Sequence, residues 1–115
     1  MQVAQKIQVD IISDVVCPWC FIGYRQLEKA LEIAGLEGDI RWHPFELNPA
    51  MAPEGEDTAE HIARKYGATP EQSASTRSHM KSIAEPLGID FSNRSQRIWN
   101  TFAAHQLLHW AKESG

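Results

Sequence analysis

The apolar residues of the chain change their spacing three times, and each change marks a new element. Residues Ile7 to Ser13 (I-Q-V-D-I-I-S) alternate at first and then turn wholly apolar, the pattern of a strand entering a covered sheet. From Pro18 onward, Cys20, Tyr24, Leu27, Leu31 and Ala34 recur at spacings of three and four with Arg25, Glu28, Lys29 and Glu32 between them, which predicts an amphipathic helix. Gly35 followed by Leu36 predicts its end, a left-handed cap with an apolar contact. In Asp39 to Leu47 (D-I-R-W-H-P-F-E-L), Ile40, Trp42 and Phe45 stand among polar residues around Pro44, so this stretch reads as a second strand that is broken or at an edge. The opening half is thus β-α-β, with two parallel strands joined by a right-handed crossover.

Asn48 to Asp57 carries Pro49, Pro53, Gly55 and three acids, and reads as a solvated linker. Beyond it the period is helical. Asp57 with Glu60 forms a capping-box pattern before a short helix ending at Gly67, and Thr69-Pro70-Glu71-Gln72 opens a second helix expected to run to about Leu87. A further helix is expected from near Ser95, with Ile98, Trp99, Phe102, Ala103, Leu107, Leu108 and Trp110 spread over more than one face, hence buried on several sides. The organisation expected is a β-α-β part over residues 1–50, a linker over 51–57 and a helical part over 58–115. Two strands are few for so many helices, and the chain reaches Lys112-Glu113-Ser114-Gly115 straight after its most apolar helix, so further sheet-forming chain is expected downstream.

Length and charge narrow the function classes. At 115 residues there is room for one hydrophobic unit, and a net charge of -4 with both signs scattered offers no basic stripe for nucleic acid and no polybasic patch for a membrane. No stretch approaches the roughly 20 apolar residues that cross a bilayer, and Met1 to Asp10 lacks the apolar centre of a secretory signal, so a cytoplasmic location is expected. In a reducing compartment a close cysteine pair is more often catalytic or metal-binding than a permanent staple.

Both cysteines lie in D-V-V-C-P-W-C-F, residues 14–21. With Cys17 at the helix N-cap and Pro18 first inside the helix, the free N–H groups and the helix dipole favour a thiolate at Cys17, the expected nucleophile. Cys20, one turn inside, can reach Cys17 and is the expected resolving thiol. Asp14, three residues before Cys17, is a candidate to tune the thiol or relay a proton, against the plainer role of a turn aspartate. Trp19 could meet an apolar substrate surface or simply shield the disulfide, and Pro18 beside it joins the candidate substrate contacts. Zinc chemistry needs a second ligand pair, for which His105 and His109 are the candidates, without finger spacing. Plain buried cysteine is the remaining alternative. His61 and His79 read as surface residues, and the acids from Glu54 to Glu60 as a solvated face.

Three stretches carry a family resemblance: S-D-V-V-C-P-W-C-F-I-G from Ser13, W-H-P-F-E-L-N-P from Trp42, and N-T-F-A-A-H-Q-L-L-H-W-A from Asn100. In these the chain resembles the DsbA-like group of the thioredoxin superfamily, most closely the FrnE-type disulfide oxidoreductases. Kappa-class glutathione transferases and hydroxychromene-carboxylate isomerases are similar overall but carry serine where this chain has Cys17. The resemblance implies an α/β, thioredoxin-like fold interrupted by a helical insert, and a late helix that brings Asn100 and His105 near the active site as substrate contacts. It also implies a downstream half bearing a cis-proline; Pro44, Pro49, Pro70 and Pro86 do not fit that role, so this sequence resembles the N-terminal half of a member. The activity implied is thiol-disulfide exchange on protein or small disulfides, with no metal and no organic cofactor, and with glutathione or a partner reductase exchanging electrons. An open edge on the first strand would favour a homodimer. A chaperone-like binding module with a redox switch and a glutathione-dependent transferase or isomerase are the rival readings.

Overall fold

The computed structural model describes residues 5–91 and 96–115. The chain divides into two compact units, Met1–Leu47 and Asn48–Gly115.

The first unit holds β1 (Lys6–Ser13), α1 (Pro18–Ala34) and β2 (Glu37–Pro44). The strands pair in parallel over their full length, from Lys6 opposite Glu37 to Ser13 opposite Pro44. Of the two expectations, a broken strand or one at an edge, the second holds: in this two-stranded sheet β2 is continuous and lies at an edge, starting earlier than expected, with Pro44 at its last paired position, where a missing N–H interrupts least. The register places Val9, Ile11, Ile40 and Trp42 on one face. There the Tyr24 ring of α1 meets Trp42 edge-on at 4.9 Å, and Leu31 lies so close to Gly38 that an added Cβ would sit 2.7 Å from its Cδ1. The other face is polar apart from the exposed Ile12, with the His43 ring bonded to Asp10 at 2.9 Å. Helix α1 ends as its sequence predicts: Gly35 takes φ 69° while Gly35 N–H and Leu36 N–H donate back to the Glu32 and Leu31 carbonyls. Its burial is not one-sided, however. Cys20, Tyr24, Leu27 and Leu31 are half-buried and Ala34 is exposed, whereas Ile22, on the opposite face, is the most buried large side chain at 2% exposure.

The second unit holds β3 (Glu56–Asp57), α2 (Thr58–Tyr66), α3 (Pro70–Ala84), β4 (Arg97–Ile98) and α4 (Phe102–Glu113). Asp57 caps α2 by accepting the Glu60 N–H at 3.0 Å, and Thr69 with Gln72 forms a reciprocal capping box on α3. The α3 helix stops at Ala84 because Pro86 has no N–H to continue it; a 3₁₀ turn over Glu85–Leu87 completes the expected length, closed by Gly88 at φ 76°. The stretch read as a linker is instead structured. Met51 is buried, β3 pairs antiparallel with β4, and the Arg97 guanidinium donates to the carbonyls of Glu54 and Gly55. Ile98 and Trp99 accordingly lie outside the last helix, which begins at Phe102; the expected start near Ser95 falls outside the described residues. Nor is α4 buried on several sides. His105 is its one buried residue, while Leu107, Leu108 and Trp110 are exposed, because the described second unit supplies no surface against them. No helix among the described residues is long and apolar enough to cross a membrane.

Candidate active site

The first unit brings together five of the seven residues singled out by sequence: Asp14, Cys17, Pro18, Trp19 and Cys20. They occupy the turn between β1 and α1 and the first turn of α1. The chain leaves β1 at Ser13 and turns through Val15 and Val16, and Cys17 N–H closes the turn on the Asp14 carbonyl at 3.0 Å. Cys17 then takes extended backbone angles as the N-cap (φ -88°, ψ 107°) and Pro18 enters the helix, where its fixed φ fits and its missing N–H costs nothing. Three residues on, Cys20 stands one turn above, so the two thiols lie together as a free dithiol.

Electrostatics at Cys17 run against the sequence expectation of a favoured thiolate. Burial pushes the Cys17 thiol up from the usual cysteine value and Cys20 adds to the rise, while the backbone N–H groups of Cys20 and Trp19 pull it down and do not prevail. The first turn thus acts on the sulfur, though not through an N-cap hydrogen bond, and burial beside a second thiol outweighs it. Trp19, between the cysteines, is 42% exposed, and Val15 and Phe21 are exposed beside it.

Asp14 is buried, at 2% exposure, and its Oδ2 accepts the Leu47 N–H at 2.9 Å. It therefore fastens the turn that bears Cys17 to the backbone leaving β2. Sequence reasoning had no access to this partner, which is 33 residues away.

Asn100 and His105 lie in the second unit. The Asn100 Nδ2 donates to the carbonyls of Met51 at 2.9 Å and Pro49 at 3.4 Å, and its Oδ1 accepts the Phe102 N–H at the start of α4. Both ends of the amide thus hold its own unit together. His105 is buried on α4, its N–H bonded to the Thr101 carbonyl. His61, read as a surface residue, is also buried and lies 3.4 Å from the Glu56 carboxylate, which Arg64 holds as well and keeps below the usual carboxylate range. In sequence the apolar residues beside it in α2 are Ala59, Ile62 and Ala63, so the histidine between them gave no sign of being the buried one. Among the described residues no cluster of three or more His, Cys, Asp or Glu is arranged to hold a metal ion.

A family model for the DSBA-like thioredoxin domain matches residues 8–115. The chain is 30% identical over 109 residues to the uncharacterized protein YwbO of Bacillus subtilis, a match covering 93% of this chain and 48% of that protein. It is similar, with a TM-score of 0.80 and 34% identity, to the crystal structure of a probable DsbA oxidoreductase from Streptomyces coelicolor, covering 94% of this chain and 47% of that one. The chain spans about half the length of each of these relatives.

Proposed function

The chain belongs to the DSBA-like thioredoxin domain family and has that family's mixed α/β fold; from that premise we propose that it is a thiol-disulfide oxidoreductase of the FrnE type, acting through Cys17 and Cys20. The observation that carries this reading is a free dithiol on the first turn of a helix that follows a parallel strand, with one thiol at the N-cap and the other one turn inside. In the reducing direction the Cys17 thiolate attacks one sulfur of a substrate disulfide. A Cys17–substrate bond forms, and the other sulfur leaves as thiolate and takes up a proton. Cys20, deprotonated, then attacks the Cys17 sulfur, closing the Cys17–Cys20 disulfide and releasing the second substrate thiol. Two electrons pass from the protein dithiol to the substrate, and the reverse sequence oxidises a substrate dithiol. Small thiols such as glutathione, or a partner reductase, would restore the starting state, and no organic cofactor is called for. The substrates fitting the exposed Trp19 are protein disulfides or small disulfides with apolar groups.

Cysteine at position 17 is what separates this reading from a glutathione transferase or isomerase, whose members have serine there. The test is a disulfide-reduction assay on the chain and its variants. Cys17→Ser should abolish turnover, and Cys20→Ser should accumulate a mixed disulfide on Cys17, visible as a mass increase removed by reductant. Full turnover by Cys17→Ser would end the proposal.

A further inference from the structure

Asp14 is the one buried carboxylate among the described residues. A carboxylate withdrawn from water is retained only where hydrogen bonds replace its hydration, and the position of this one is informative. The parallel ladder of β1 and β2 continues one step past Pro44, where Phe45 N–H donates to the Ser13 carbonyl at 3.0 Å. Two residues further, Leu47 N–H would next seek an acceptor on the β1 side. By then the main chain has turned away through Val15 and Val16 to place Cys17, so no strand carbonyl continues the row. The Asp14 carboxylate takes that position and accepts the Leu47 N–H at 2.9 Å. The same residue's carbonyl accepts the Cys17 N–H. One residue therefore joins the turn that bears the nucleophile to the strand beside it.

We propose that Asp14 is a positioning residue for Cys17: its carboxylate replaces the ladder rung that the turn removes, and so fixes Cys17 at the height from which Cys20 can close on it. This rests on the dithiol reading above. It assigns the carboxylate a role as hydrogen-bond acceptor, in place of the charge or proton relay that sequence suggests.

The experiment compares the full chain with Asp14→Asn and Asp14→Ala, measuring the equilibrium constant for Cys17–Cys20 disulfide formation in buffers of reduced and oxidised glutathione. An asparagine carbonyl can still accept the Leu47 N–H without charge, whereas alanine cannot. Asp14→Ala is expected to weaken the disulfide about tenfold, equivalent to about 30 mV for a two-electron couple, and Asp14→Asn to stay within about threefold of the parent. Equal loss in both variants would mean that charge is what matters, and would overturn the proposal. So would a fall in melting temperature for Asp14→Ala with an unchanged equilibrium constant, which marks a merely structural residue. Should Asp14→Ala fail to fold, the parent chain decides: the Leu47 amide must exchange slowly with deuterated solvent, and exchange at the rate of an unstructured amide overturns the proposal. If the parent forms no disulfide with glutathione, the functional reading fails by itself. The positioning role is then read from Cys17 alkylation in a Cys20→Ser background, where alanine must change the rate about tenfold and asparagine must not.

Discussion

Two isoleucines on one helix give a direct measure of how firmly α1, and with it the dithiol, is held. Ile22 is 2% exposed and Ile33 is 79% exposed, and both lie within the helix Pro18–Ala34. Replacing Ile22 by alanine deletes three carbons from a closed site; at about 0.8 kcal/mol per buried carbon this is about 2.4 kcal/mol. The cavity left behind adds to it, so the expected total lies in the range of about 2–5 kcal/mol. Ile22→Val, which removes one carbon, should cost about 1 kcal/mol. Ile33→Ala loses almost no buried surface and gains helix propensity, so it should stay within about 0.5 kcal/mol of the parent. Urea unfolding followed by far-ultraviolet circular dichroism gives all three values, provided the slope of the transition is unchanged. If the curves of Ile22→Ala and Ile33→Ala differ by less than about 1 kcal/mol, the second covered face of α1 is not part of the folded chain's stability, and the reasoning from burial is wrong.

Four further outcomes are expected. The rate of Cys17 alkylation in the reduced chain should keep rising past about pH 8.5, the free-cysteine value, because burial and Cys20 push the thiol up; a plateau reached well below that pH would restore helix-end activation. Gly55→Ala puts a Cβ 2.2 Å from the Ile98 carbonyl oxygen at φ 74°, where neither β4 nor the backbone can yield cheaply, so it should cost more than about 2 kcal/mol. Gly38→Ala meets only the movable ends of Leu31 and Ile40 and should change stability by less than about 1 kcal/mol; the reverse order in a thermal melt would refute both assignments. Arg64 is the main cause of the lowered Glu56 pKa, so the stability that this pair contributes is present above the ordinary carboxylate value and is lost as pH falls through the lowered one. Arg64→Met should therefore move acid unfolding to higher pH, and an unchanged acid transition would show that the pair contributes nothing.

The elements whose signals are local were legible in the sequence. Gly35 with Leu36, Thr69 with Gln72 and Pro18 after Cys17 each fix a helix end through contacts within a few residues, and the structure forms all three. What stayed hidden depends on partners far along the chain. Asp14 meets Leu47, Asn100 meets Pro49 and Met51, and Arg97 meets Glu54, separations of 33 to 51 residues that no periodicity reports. The late helix failed for a related reason. Ile98 and Trp99 read as part of a helical period, yet Asn100 turns the chain into α4 from one residue before its N-cap Thr101, its Oδ1 accepting the Phe102 N–H. Giving that polar residue more weight than the flanking tryptophan would have found the boundary.

The cysteine pair shows a different kind of limit, because the helix-end effect read from the sequence is opposed by a burial effect that depends on the folded chain. A helix end stabilises a nearby anion by about 0.3–1 kcal/mol when exposed, which is less than one pKa unit. At Cys17 the first-turn N–H groups of Trp19 and Cys20 add to that pull. Desolvation needs no alignment, and burial beside a second thiol outweighs both.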